Sequence, residues 1–158
     1  MNTAVKVGLW TAGIGALLYI GKKYSDAYAL VKGITYKIVD FGLPKLSNNV
    51  LSVPLNLAVS NSTDSTLVVD NISIAISLLQ KGNYMPVGGA TISKVNAPPG
   101  TSEKVFIGQV DLKALTKNVF DTLATVLQNN AITIKADVII TAQGITLPLQ
   151  SKIKEIRV

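Results

Sequence analysis

The side chains best suited to acid–base or metal chemistry in this 158-residue sequence are nine carboxylates: Asp26, Asp40, Asp64, Asp70, Glu103, Asp111, Asp121, Asp137 and Glu155. Histidine and cysteine are absent. A serine triad therefore lacks its base, a cysteine dyad lacks both members, and a zinc or non-haem iron site would have carboxylates alone. Asp64 and Asp70 flank a turn and could hold Ca²⁺ with backbone carbonyls, but the spacing of an EF-hand is missing and Asp is an ordinary turn residue. Glu103, Asp111 and Asp121 show no paired arrangement for proton transfer. The expectation is a protein that is not an enzyme and that uses no cofactor, no metal and no small-molecule substrate.

Charge narrows the partners. The formal net charge is +6, carried by lysines scattered along the chain and a single arginine, Arg157. Reading of nucleic acid calls for clustered arginine with exposed aromatics, so no nucleic-acid partner is expected; dispersed lysine suits solubility or an anionic lipid surface. Without cysteine there is no disulfide framework and no lipid-modified thiol.

Residues 7–21 carry no charge. As a helix, capped at Asn2 or Thr3, they would span roughly 22 Å, and residues 4–6 extend this to about 27 Å, close to the hydrocarbon thickness of a thin bilayer. The sequence predicts a single N-terminal transmembrane helix with Val7, Leu9, Trp10, Ile14, Leu17, Leu18, Tyr19 and Ile20 as the membrane anchor. Lys6 on one side and Lys22 and Lys23 on the other are the interface charges, and Trp10 and Tyr19 are suited to the interface. Ala4, Gly8, Ala12 and Ala16 recur every four residues, a stripe that lets helices approach closely in lipid or that only moderates hydrophobicity. A cleaved signal peptide is the competing reading, with Ala27-Tyr28-Ala29 as its cleavage site, although Lys22, Lys23 and Asp26 load that stretch with charge. A third reading buries the apolar helix in a protein assembly. The positive-inside rule leans weakly towards a cytoplasmic C-terminal domain.

Downstream, the period changes from helical to alternating. A short helical stalk from Ser25 stops at Gly33, and Ile34, Tyr36 and Ile38 alternate towards Phe41 as a first strand. Val53, Leu55, Leu57 and Val59 share one face of the next strand, which stops at the turn-forming run Asn61-Ser62-Thr63-Asp64-Ser65. Ile72, Ile74, Ile76 and Leu78 form the facing ladder up to Lys81-Gly82-Asn83, so the pattern is that of an antiparallel sheet. The return through Tyr84 and Ile92 is interrupted by Gly88-Gly89, which implies a bulge or a close backbone approach and not a phosphate cradle. Asn96-Ala97-Pro98-Pro99-Gly100-Thr101 is a rigid turn before a strand from Ser102 to Val110. Asp111 is expected to cap a helix packed on the sheet through Leu112, Leu115, Val119, Leu123 and Val126, with Lys113, Lys117, Asp121 and Gln128 outward. Ile132, Ile134, Ala136, Val138 and Ile140 alternate to a turn at Gln143-Gly144, and Leu147, Leu149, Ser151 and Ile153 alternate back. The chain thus divides into an anchor and stalk at residues 1–33 and a β-domain at residues 34–158.

In this order the features resemble the late embryogenesis abundant (LEA) type 2 family, the water stress and hypersensitive response (WHy) domain. Leu55-Asn-Leu-Ala-Val59 leading into Asn61-Ser62-Thr63 is similar to the family's strand ending in Asn-Pro-Thr, with Ser62 in the place of proline. Gly88-Gly89 matches its glycine-containing return, and Pro98-Pro99-Gly100 its turn. The resemblance covers roughly residues 34–151. It implies a mainly β fold, a fibronectin- or immunoglobulin-like antiparallel β-sandwich with one packed α-helix, and no catalytic residues. Two functions are compatible with an anchor plus such a domain. One is a non-catalytic structural protein of a lipid-containing assembly, such as a minor membrane protein of a phage virion linking membrane to protein shell, with the bilayer, other assembly proteins and copies of itself as partners. The other is an envelope-anchored stress-protective or lipid- and client-binding module. Either would place the protein in a membrane, of a virion or of a cell envelope.

Overall fold

A computed structural model describes residues 26, 28–117, 121, 128 and 131–157. Nine strands follow one another: β1 (Ile34–Phe41), β2 (Lys45–Ser47), β3 (Val50–Asn61), β4 (Leu67–Gln80), β5 (Asn83–Ala97), β6 (Gly100–Asp111), β7 (Ala131–Ala142), β8 (Ile145–Thr146) and β9 (Gln150–Arg157). All pair antiparallel in one sheet of order β1-β3-β6-β5-β4-β7, with β2 added beside β3 and with β8 and β9 beside β7. The two separate sheets of a sandwich, expected from the resemblance, are here one continuous, open sheet that curls on itself.

The curl has a physical cause at the glycine pair. β3 and β6 pair along their whole length, as do β4 and β5, but β5 meets β6 through one ladder pair among the described residues, Gly89↔Gln109. A Cβ on Gly88 would lie 2.2 Å from the Gln109 carbonyl oxygen, and one on Gly89 2.0 Å from that of Ile74. Only glycine lets three backbones approach this closely. The close approach read from the sequence is therefore the corner at which the sheet folds over.

The alternating residues fill the space enclosed. Val53, Leu55 and Leu57 from β3 meet Ile72, Ile74 and Ile76 from β4 and Ile134, Val138 and Ile140 from β7, all buried. At about 25 cal/mol per Å² of apolar surface, a buried side chain of this size contributes about 1.5–3 kcal/mol, so these ladders dominate stability. Three hairpins are closed by residue pairs that both have positive φ: Asn48-Asn49, Lys81-Gly82 and Gln143-Gly144. That is the type I′ geometry matched to strand twist. The last two were legible as turns. The first, with the short β2 it creates, was not read from the sequence, although Asn-Asn before an alternating run is a hairpin signal.

Two expectations need correction. Asp111 does not start one long helix: its carboxylate accepts from the Lys113 amide at 2.9 Å and caps a 3-10 turn, Leu112–Ala114, after which Leu115 is extended. Helical backbone returns at Lys117, Asp121 and Gln128, all exposed, while Val119, Leu123 and Val126 lie outside the described residues. The last strand is also in the opposite phase. Ile153 points outward, and Lys152, Lys154 and Ile156 stand opposite the buried Ala136, Ile134 and Ile132.

Candidate interaction surface

Five of the described carboxylates, Asp40, Asp70, Glu103, Asp111 and Asp137, are each engaged by a turn or a neighbouring strand. An Asp70 oxygen accepts from the Gly144 amide at 2.8 Å and so holds the β7–β8 turn. Glu103 receives the Asn56 amide at 3.2 Å, and Asp137 pairs with Lys135 at 3.2 Å and accepts from Ser151. Among the described residues no group of three or more His, Cys, Asp or Glu could hold a metal ion. Asp64 and Asp70 are not brought together as a cation site; Asp70 is engaged with a backbone amide.

One end of the sheet receives the chain from the N-terminal segment. A helical turn ends at Val31, which is buried, and closes with Lys32 and Gly33 amides donating to the carbonyls of Tyr28 and Leu30. Gly33 was the expected stop, and its own role is contact: a Cβ there would sit 2.8 Å from the Thr63 methyl. The Ser62 amide donates to the Gly33 carbonyl at 2.9 Å, tying this turn to the end of β3.

Asn61 organises that end. Its side chain is 2 % exposed, its amide donates to the carbonyls of Ser65 and Ala97, both at 2.8 Å, and its oxygen accepts from the Thr63 amide and hydroxyl at 3.0 and 2.7 Å. A buried amide with both donors and its acceptor used is a strong local constraint. The sequence marked Asn61-Ser62-Thr63 as a turn; it did not show that this residue joins β3, the β3–β4 loop and the end of β5.

The ends of the curled sheet meet where β1 approaches β9 without ladder pairs. β1 has a bulge between Ile38 and Asp40, which frees the Val39 carbonyl. Lys152 donates to that carbonyl, and Lys154 reaches the Asp40 carboxylate at 2.7 Å and the Phe41 carbonyl at 3.3 Å. The inverted phase of β9 has its reason here: its inward lysines satisfy the backbone of the opposite edge. The hydrogen bond from Lys154, then one from the Phe41 backbone, hold the Asp40 carboxyl below the usual carboxylate value. Further along, the buried Tyr36 hydroxyl shares its hydrogen between the carbonyls of Val138 at 2.9 Å and Pro148 at 2.6 Å. Burial raises its pKa above the ordinary tyrosine value, with the backbone at Ile140 and Gln150 opposing. The signal missed in the sequence was the every-second-residue set Lys152, Lys154 and Ile156, which forms the inward face of β9.

On the outer face of β6, Val105 and Ile107 are 65 % and 52 % exposed and stand beside Asn56 and Pro54 of β3. The anchor residues, the small-residue stripe and the flanking charges Lys6, Lys22 and Lys23 all lie outside the described residues. Among the described residues no helix is long and apolar enough to cross a membrane.

This topology recurs in solved structures. A protein described as a candidate LEA protein aligns with 96 % of this chain and 87 % of its own, with 16 % identity and a TM-score of 0.57. The fold is shared. A protein of Arabidopsis thaliana aligns over 78 % of this chain and 80 % of its own at 14 % identity and a TM-score of 0.58. One of Archaeoglobus fulgidus aligns over 79 % and 94 % at 13 % identity and 0.51. No protein-family model matches the chain, and neither does any curated protein sequence.

Proposed function

We propose that this chain is a non-catalytic interaction module of the LEA type 2 kind, tethered to a membrane of the cell envelope by its N-terminal segment and acting on lipid and client proteins through its surface. The observation that supports this most is the shared fold with a candidate LEA protein over nearly the whole chain. It agrees with the Asn-Ser-Thr end of β3, where Asn61 is the structural hub, and with the engagement of Asp70, Glu103 and Asp137 by the fold. Drying or freeze–thaw of a labile enzyme with vesicles carrying the full-length protein tests the protective part: retention of client activity above that given by vesicles with an unrelated anchored domain is expected, and equal loss would refute it. A second reading, a structural protein joining a membrane to a protein shell as in a phage virion, would use the exposed Val105 and Ile107 strip as its contact surface. It predicts a defined copy number and loss of assembly when both are replaced by Ser.

A further inference from the structure

We propose that the tether end of the sheet is a bilayer-docking surface that rests on neutral phospholipid headgroups while the opposite end is held away from the membrane; this depends on the N-terminal segment being the membrane anchor. The geometry follows from chain length. Only four residues lie between Gly21, the end of the charge-free run, and Asp26, so across five Cα steps this end of the domain stands within at most ~18 Å of the bilayer boundary. β3 alone has 12 residues, which at about 3.3 Å each separates the two ends of the sheet by roughly 40 Å. With the near end docked end-on, the far end stands roughly that distance from the bilayer; only a sheet lying flat would bring both ends down.

The near end has the surface such an orientation needs. The contacts Ser62 to Gly33, Asn61 to Ser65 and Ala97, and Gly144 to Asp70 gather the helical turn and three loops, β3–β4, β5–β6 and β7–β8, on one rim. From it Tyr28, 52 % exposed, projects with exposed Leu30, Val68, Pro98 and Pro99 on the same rim; Leu149, equally exposed, lies further down the flank next to the Gln150–Val138 pair. Aromatic, aliphatic and proline side chains on a rim with little backbone to desolvate are suited to the headgroup and acyl boundary. The exposed charges there, Asp26, Lys32, Asp64 and Asp70, have both signs, so anionic lipid is not required. Leu43 and Leu46 are also exposed, but at the far end, beside the β2–β3 turn.

The chain has no cysteine, so single labels are direct. The full-length protein bearing Pro99→Cys or Tyr28→Cys at the near end, and Leu43→Cys or Lys81→Cys at the far end, is coupled to an environment-sensitive fluorophore and reconstituted in phosphatidylcholine vesicles with headgroup-nitroxide lipid. Each sample is floated before measurement. Near-end labels should be blue-shifted and quenched at least about twofold more than far-end labels, as expected for side chains at the headgroup level, with no deepening on adding phosphatidylserine. Equal quenching of both ends in protein that floats overturns the docking while leaving the anchor intact. Failure of the full-length protein to float overturns the anchor and this inference together.

Discussion

Asn61 concentrates more of the fold in one side chain than any other described polar residue singled out above. Asn61→Ala leaves the Ser65 and Ala97 carbonyls and the Thr63 amide without their partner, and a loss of about 2–4 kcal/mol is expected in urea unfolding. Asn61→Asp keeps the volume but turns a carboxylate towards two carbonyls, so it should destabilise more at neutral pH than at pH 4. Tyr36 sets an alkaline limit. Its folded pKa lies above the unfolded value, so its contribution is complete below the ordinary tyrosine pKa of about 10 and is lost as pH rises from there through the folded value. Tyr36→Phe should cost about 1 kcal/mol near neutral pH and flatten that alkaline decline, as followed by chemical denaturation from pH 7 to 11. Asp40 has the opposite sign: its lowered pKa gives a contribution present above the ordinary carboxylate range and lost as pH falls through the folded value. Because the group is exposed, the effect is small and screened by salt. Asp40→Asn should therefore show as faster amide exchange in β1 and β9 at low salt, and unchanged exchange would argue that the β1–β9 contact does not depend on this pair.

At the scale of elements, what was legible and what was not divide along a physical line. The ladders of β3, β4 and β7 could be read because one face is buried and period two then appears directly in residue type. The turns at Lys81-Gly82 and Gln143-Gly144 could be read because positive φ selects glycine beside a short polar residue. β9 was read in the wrong phase because its inward positions carry lysines, whose reason lies on β1, over a hundred residues away. The helix after Asp111 was overextended because Leu112 and Leu115 fit a helical spacing while the structure spends Leu112 on a 3-10 turn next to the Asn49 carbonyl. The single curled sheet was hidden for a related reason: Gly88-Gly89 announces close approach but not which strand approaches. Gly89→Ala forces a Cβ against the Ile74 carbonyl, and Gly88→Ala against that of Gln109. Each should destabilise by roughly 3 kcal/mol or more and broaden the unfolding transition as the β5–β6 corner loosens. A variant of either glycine with unchanged midpoint and slope would show that the corner is not held by this contact.

The described residues form a curled sheet with Asp40, Asp70, Glu103, Asp111 and Asp137 engaged in turns and edges, a tight polar hub where the chain enters, and exposed apolar residues on the outer face and rims. The proposed work by contact would use those features, and the proposed contact at a membrane would use the charge-free run before the sheet. Both the proposed protective module and its docking at the near end depend on that run being inserted. Flotation of the full-length protein on a lipid gradient, beside a chain beginning at Lys22 and followed by an alkaline carbonate wash, tests this most directly. The account predicts that only the full-length chain rises with the vesicles and that it resists the wash. Full-length protein that stays at the bottom, or that the wash removes, would contradict it and require residues 4–21 to be read as buried in protein.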